Sequence, residues 1–285
     1  MLMNLNNNKF KPGLYCVATP IGNMGDISIR AIKILQESDL ILCEDTRVTK
    51  KILQKFAINT KLISNHKFNE NKNLKKVLEI LKNNKIVSLV SDAGTPAVSD
   101  PGRILVNECV KNEINTFPIP GTSAVSAAIS ISGFSDNFYF CGFLPEKQNQ
   151  VKKLFKNLSL LDSSIVFFIS PNKLIKRIDD IKEFFFDRNI IICREITKFH
   201  EEYIRTSVKE LSNVNFSRKG EITVVISEAK KEILSFKELQ ESDKKKINEL
   251  IKKMSIKDII KKISKNREIS KKLIYNYCLE IRNEN

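Results

Sequence analysis

Histidine is scarce in this 285-residue chain and cysteine is scattered, an arrangement that argues against a metal centre. There are two histidines, His66 and His200, and six widely separated cysteines that form no C-x-x-C pair and no Cys/His cluster. That is not the donor set of a zinc site. Cys16, Cys43, Cys109, Cys141, Cys193 and Cys278 lie mostly in apolar runs, which reads as buried thiols in a reducing compartment. No apolar stretch is long enough to span a membrane, and residues 1–12 are Asn-rich without the apolar centre of a signal peptide. A soluble, cytoplasmic protein is therefore expected. No Gly-x-Gly-x-x-Gly follows any predicted strand, so the turn of a classical dinucleotide-binding fold is absent.

What is present is enough apolar residue, 42% of the chain, to bury a substantial core across two domains. The net charge of +15 points to a polyanionic partner, although lysine is abundant throughout and its distribution says more than its total. Residues 241–285 hold 13 Lys and Arg against 7 Asp and Glu, a net positive charge per residue several times that of the body.

The pattern from Leu14 to Ile119 alternates short apolar strands with amphipathic helices. Leu14–Ala18, Leu40–Cys43, Lys61–Ser64, Ile86–Val90 and Thr116–Ile119 read as strands. Strands separated by helical patterns predict a mainly parallel sheet. Asp26 is expected to cap a helix from Ile27 to Glu37, and Asp100-Pro101-Gly102 to start one from Ile104 to Asn112. Pro118-Ile119-Pro120-Gly121 interrupts regular structure and marks a boundary. Beyond it the alternation is less clean, and Tyr203–Ser207 and Ile222–Ile226 read as antiparallel strands of a mixed α/β sheet. The division expected is an N-terminal α/β domain over 12–119, a mixed α/β domain over 120–230 and a basic helical extension over 231–285. In the extension, Ser255 and Ser270 are placed to cap two short helices, either a helix-turn-helix-like pair or a solvated amphipathic cap.

The stretch Ser91-Asp92-Ala93-Gly94-Thr95-Pro96-Ala97-Val98-Ser99-Asp100-Pro101-Gly102 follows directly on a buried strand. Open α/β sheets place their ligands at such a carboxyl end. Gly94 permits close approach of a ligand, and Pro96 pushes Thr95 toward extended geometry. The stretch carries two carboxylates and no lysine, unlike a phosphate-cradling loop. It suits a ligand with hydroxyls and positive charge, or else serves only as a tight turn. The small residues Thr122-Ser123-Ala124 likewise allow close approach, of a ligand or of a neighbouring element.

Taken with Ala18-Thr19-Pro20-Ile21-Gly22-Asn23-Met24-Gly25-Asp26-Ile27, Glu44-Asp45-Thr46-Arg47, Pro120-Gly121-Thr122-Ser123-Ala124, Gly142-Phe143-Leu144-Pro145 and Arg194-Glu195-Ile196-Thr197-Lys198, this stretch closely resembles the 16S ribosomal RNA ribose methyltransferases of the tetrapyrrole methylase superfamily. The resemblance runs from about residue 12 to the C-terminal end. It implies two α/β domains, S-adenosylmethionine in the cleft between them, and a homodimer acting on 16S rRNA or the small ribosomal subunit, at the 2′-hydroxyl of a decoding-region cytidine. Carried over by position, Asp92, Gly94, Thr95 and Pro96 hold the cofactor, with Pro20, Val98, Thr122, Ser123, Ala124 and Ile169 also in contact. Thr122 stands where the family often has proline or another small residue.

Methyl transfer to a ribose hydroxyl needs the oxygen held in line and its proton removed. The candidates are Glu44, Asp45, Asp100, His200 and Glu201, with Arg47, Arg103 and Lys198 placed to grip phosphate or orient an acid. Each also has an ordinary role open to it as a cap or ion-pair partner. The rival activity is C-methylation of a tetrapyrrole precursor, whose carboxylates would equally welcome positive charge. A third reading is an RNA-binding assembly protein with a vestigial pocket.

Overall fold

In a computed structural model of the protein, the described residues are 10–229, 239, 241–251, 253–264 and 271–283. They form two compact units, the first ending at Ala229 and the second comprising the C-terminal helices. The first unit contains two five-stranded sheets.

The first sheet is built from β1 (Gly13–Val17), β2 (Leu40–Cys43), β3 (Leu62–Ser64), β4 (Ile86–Val90) and β5 (Thr116–Ile119). Its order is β3-β2-β4-β1-β5, and every pairing is parallel. Successive side chains of a strand point to opposite faces. Tyr15, Val17, Ile41 and Cys43 thus pack with Ala31, Ile34 and Leu35 of α1 (Ile29–Glu37) and Leu53 of α2 (Thr46–Lys55). On the other face Leu14, Leu40 and Leu42 meet Val77 and Leu81 of α3 (Glu70–Lys82), together with Leu105 and Cys109 of α4 (Arg103–Lys111). Helices on both faces explain why these strands are nearly continuous apolar runs.

The second sheet is mixed, as expected. β6 (Phe138–Phe143) runs parallel to β7 (Ser164–Ile169), whereas β8 (Asn189–Arg194), β9 (Glu202–Ser207) and β10 (Ile222–Ile226) pair antiparallel, in the order β6-β7-β10-β8-β9. α5 (Ala124–Ser132) covers one face through Val125 and Ala128, against Val166, Ile191 and Val225. α6 (Gln148–Leu158) and α7 (Pro171–Phe185) cover the other through Phe155, Leu174, Ile181 and Phe185. The spans 12–119 and 120–230 therefore each hold one sheet, inside a single compact unit.

Two helix starts differ from expectation. Ser28, not Asp26, caps α1 by accepting from the Ala31 amide at 3.1 Å, and Asp26 ends a short 3-10 turn capped by Asn23. α4 begins at Arg103 after Gly102, with Asp100 and Pro101 outside it. The cap comes instead from a distant residue. Glu70, only 5% exposed, accepts from the Gly102 amide at 3.1 Å and the Leu105 amide at 3.3 Å. A buried carboxylate thus ties α3 to the end of the Ser91–Gly102 loop. Glu70→Ala leaves two buried amides unsatisfied and is expected to cost about 2–4 kcal/mol in urea unfolding, with Glu70→Gln, which keeps the accepting oxygen, costing less.

The second unit contains three helices among its described residues, one more than the sequence suggested: α8 (Glu241–Ile251), α9 (Ile256–Ser264) and α10 (Lys271–Asn283). They bury Ile247, Ile259, Ile274 and Cys278 together. Ser255 caps α9 by accepting from the Asp258 amide at 3.3 Å, and Ser270 lies outside the described residues. No disulfide joins the cysteines, and among the described residues no helix is long and apolar enough to cross a membrane.

Candidate active site

The loops that leave the carboxyl ends of β1, β4 and β5 are tied to one another. Thr19 and Gly94 exchange both backbone hydrogen bonds at 2.9 Å, in an isolated antiparallel bridge. The Thr95 hydroxyl donates to the Thr122 carbonyl at 3.2 Å, and the Thr122 hydroxyl donates to the Thr19 carbonyl. A fourth loop joins through Asp92, whose Oδ1 accepts from the Asp45 amide at 2.9 Å. The Glu44–Arg47 turn after β2 is therefore held by the same stretch that was expected to bind the cofactor. Gly94 has φ +78°, and Ala97 and Ser99 also sit at positive φ, a strain that a functional loop can retain when its surroundings hold it.

The second sheet closes over these loops. A bulge in β6 brings Gly142 so near Ser99 that a Cβ at position 142 would lie 2.8 Å from the Ser99 hydroxyl. The Asn23 amide donates to the Thr197 hydroxyl at 3.1 Å, joining the loops after β1 and β8. Between the sheets lies a cleft of about 330 Å³, within the size range of small-molecule sites. Its walls are largely apolar, with Ile21, Val125, Phe168, Ile169 and Ile196 among them, and the backbone of Ala93–Thr95 forms one side.

Five carboxylates line this cleft, and three of them, Glu44, Asp92 and Asp100, are not paired with Lys198. Burial raises the pKa of each of these three above the ordinary carboxylate range. The Asp92 charge raises Glu44 and Asp100 further, while the Ser91 hydroxyl holds Asp100 down and the Asp45 amide holds Asp92 down. Glu44 accepts no side-chain hydrogen bond from the described residues. Lys198 also lines the cleft, with its ammonium paired to Glu195 at 3.1 Å and Glu221 at 2.8 Å. Burial pushes the Cys193 thiol up to about 12, so this wall residue stays protonated.

Of the expected cofactor residues, Asp92, Gly94, Thr95, Val98, Ser123, Ala124 and Ile169 line the cleft. Pro20, Pro96 and Thr122 do not; Thr122 acts one layer back, through its bonds to Thr19 and Thr95. Of the catalytic candidates, Glu44 and Asp100 face the cleft. Asp45 and Arg47 lie at its margin, where the Arg47 guanidinium grips Asp45 at 2.6 Å and holds that carboxyl at about 2. His200 is exposed outside the cleft with its ring against Phe199, and Glu201 accepts from the Thr197 amide and the Tyr203 hydroxyl. Phe143, Phe168, Ser170 and Gly220–Thr223 line the cleft without having been singled out as site residues. For Phe143 the signal was its place in Gly142-Phe143-Leu144-Pro145; the others follow only from the pairing of β7 with β10.

Two α/β halves around an apolar, carboxylate-bearing cleft match the family described as Tetrapyrrole (Corrin/Porphyrin) Methylases over residues 13–212, and the chain belongs to that family. Within it, the chain is 46% identical over 218 residues to the Ribosomal RNA small subunit methyltransferase I of Thermotoga maritima, covering 75% of this chain and 97% of that one. The protein of the same name from Halalkalibacterium halodurans is 36% identical over 275 residues, covering 93% of this chain, and so includes most of the basic extension. Among solved structures, uroporphyrin-III C-methyl transferase from Thermus thermophilus complexed with S-adenyl homocysteine aligns with a TM-score of 0.54. It shares 13% identity and covers 75% of this chain and 96% of that one.

Proposed function

We propose that the protein is an S-adenosylmethionine-dependent methyltransferase acting on the 2′-hydroxyl of a decoding-region cytidine in 16S ribosomal RNA. The observation that carries this reading is the similarity to small-subunit methyltransferases over nearly their whole length. The tetrapyrrole enzyme resembles the chain in fold alone, at 13% identity. The cleft fits the cofactor: it has apolar walls for an adenosine, the Ala93–Thr95 loop lining one side, and five carboxylates, two of them paired with Lys198, against a positive charge. When bound, S-adenosylmethionine supplies an electrophilic methyl group on its sulfonium.

The rest of the chemistry falls to the protein. The bonds among Thr19, Gly94, Thr95 and Thr122 hold the loop backbone in place before anything binds, so less order is lost on binding. Glu44 is the proton acceptor for the ribose hydroxyl, being unbonded and ionisable at the edge of the cleft. Asp92 positions the Glu44–Arg47 turn through the Asp45 amide. Arg47 fixes Asp45 bidentately, a geometry lysine does not reproduce.

The protein works in the cytoplasm as a homodimer, a state favoured by the edge strand β6, which presents Phe138 and Tyr139 to solvent. The basic C-terminal unit adds RNA affinity and takes no part in methyl transfer. Truncation after Ala229 is expected to flatten the slope of log affinity against log salt by roughly 0.7 per lost phosphate contact, with cofactor affinity unchanged. An unchanged slope assigns that unit to packing. The activity itself is tested by offering labelled cofactor with undermodified small subunits and, separately, with a tetrapyrrole precursor. Label is expected on RNA, and label on the macrocycle alone would reverse the assignment.

A further inference from the structure

Beside the cofactor cleft lies a second, more open recess of about 470 Å³, and Glu44 and Asp92 line both. Its outer wall is the turn after β3, with His66, Lys67 and Phe68. Phe68 is 89% exposed. The turn that carries it is held in place from several sides. Asn69 accepts from the His66 amide at 2.7 Å through its side-chain oxygen and donates through its amide nitrogen to the Ser64 carbonyl at 3.1 Å. Asn73 donates to the same carbonyl at 2.8 Å, and the Phe68 amide donates to His66 Nδ1 at 3.2 Å. The His66 and Phe68 rings meet edge to face with centroids 6.0 Å apart. An aromatic ring is thus held out in water at the mouth of an open recess, on a turn with little freedom to fold it away.

Resting on the function proposed above, we infer that this recess receives the target nucleobase, with Phe68 as its stacking platform. Unpaired RNA bases are bound by stacking on exposed aromatic rings, and this turn places one next to the cleft that would hold the methyl donor. Besides Glu44 and Asp92, the recess holds further hydrogen-bond acceptors, the Asp45 carboxylate and the Thr46 and Ser64 hydroxyls. Cytosine offers an exocyclic amine to such acceptors, whereas uracil offers a carbonyl oxygen in its place. The recess therefore selects cytidine over uridine. Lys67, on the same turn, and Arg47, whose side chain is 87% exposed, supply positive charge for the flanking phosphates. A base seated here leaves its ribose at the Glu44–Asp92 junction, where the two cavities meet.

The test is steady-state methylation of undermodified small subunits by the full-length protein. Phe68→Ala is expected to raise KM for the subunit about tenfold with kcat and cofactor affinity little changed, and Phe68→Tyr to return KM to within about threefold of the wild type. A wild-type KM in Phe68→Ala, or a loss confined to kcat, would overturn the inference. Failure of the wild-type protein to methylate RNA at all would instead overturn the function on which it rests, and that outcome is read before any variant is compared.

Discussion

Gly94→Val is expected to weaken binding of S-adenosylmethionine by about a hundredfold or more, equivalent to about 2.7 kcal/mol. Position 94 has φ +78°, where a β-branched residue is strained by about 1–3 kcal/mol. Its backbone is not free to relax, because Thr19 holds both its amide and its carbonyl. A Cβ there would find ordinary contact with Ile21 at 3.4 Å, so the protein itself has room for it. The space the side chain takes is space in the cleft. The loss should therefore appear in calorimetric titration with the cofactor while circular dichroism stays native. A folded Gly94→Val with wild-type affinity would remove this loop from the binding site.

Glu44→Gln should lower kcat by about a hundredfold or more, with cofactor affinity close to the wild type, since an amide accepts no proton. The pH dependence supplies an independent check. A proton acceptor works only when ionised, so the rate falls as pH drops through its pKa. Burial and the neighbouring Asp92 charge raise that pKa, which puts the acid limb above the ordinary carboxylate range. Asp92→Asn removes one raising charge, and the limb should move to lower pH at saturating cofactor. A wild-type rate in Glu44→Gln would pass the role to Asp100, the other catalytic candidate that faces the cleft.

Much of this was legible in the chain because the relevant signals are local. β2, β4 and β10 begin and end where their apolar runs do, since strands buried on both faces need no polar alternation. The loops at strand ends declared themselves through Pro, Gly and paired carboxylates. The parts that escaped reading are long-range. Glu70 replaces Asp100 as the cap of α4 from the start of α3, and no local pattern marks a cap supplied across that distance. Asp92 acts on the Glu44–Arg47 turn through the backbone of Asp45, a link visible only once β2 and β4 lie side by side. The positive φ at Ala97 and Ser99 was equally hidden, because neither residue type advertises it. The wall from Gly220 to Thr223 enters the cleft solely through the antiparallel placement of β10 between β7 and β8.

The Glu44 variant and the recess share one requirement, that the hydroxyl of a ribose, and not an atom of a base or a macrocycle, sits at the Glu44–Asp92 junction. Nucleoside analysis of small-subunit RNA after reaction with labelled cofactor measures this most directly. The account predicts label in 2′-O-methylcytidine, lost in Glu44→Gln. Label in a base-methylated nucleoside, or none in RNA while the cofactor binds normally, would contradict it.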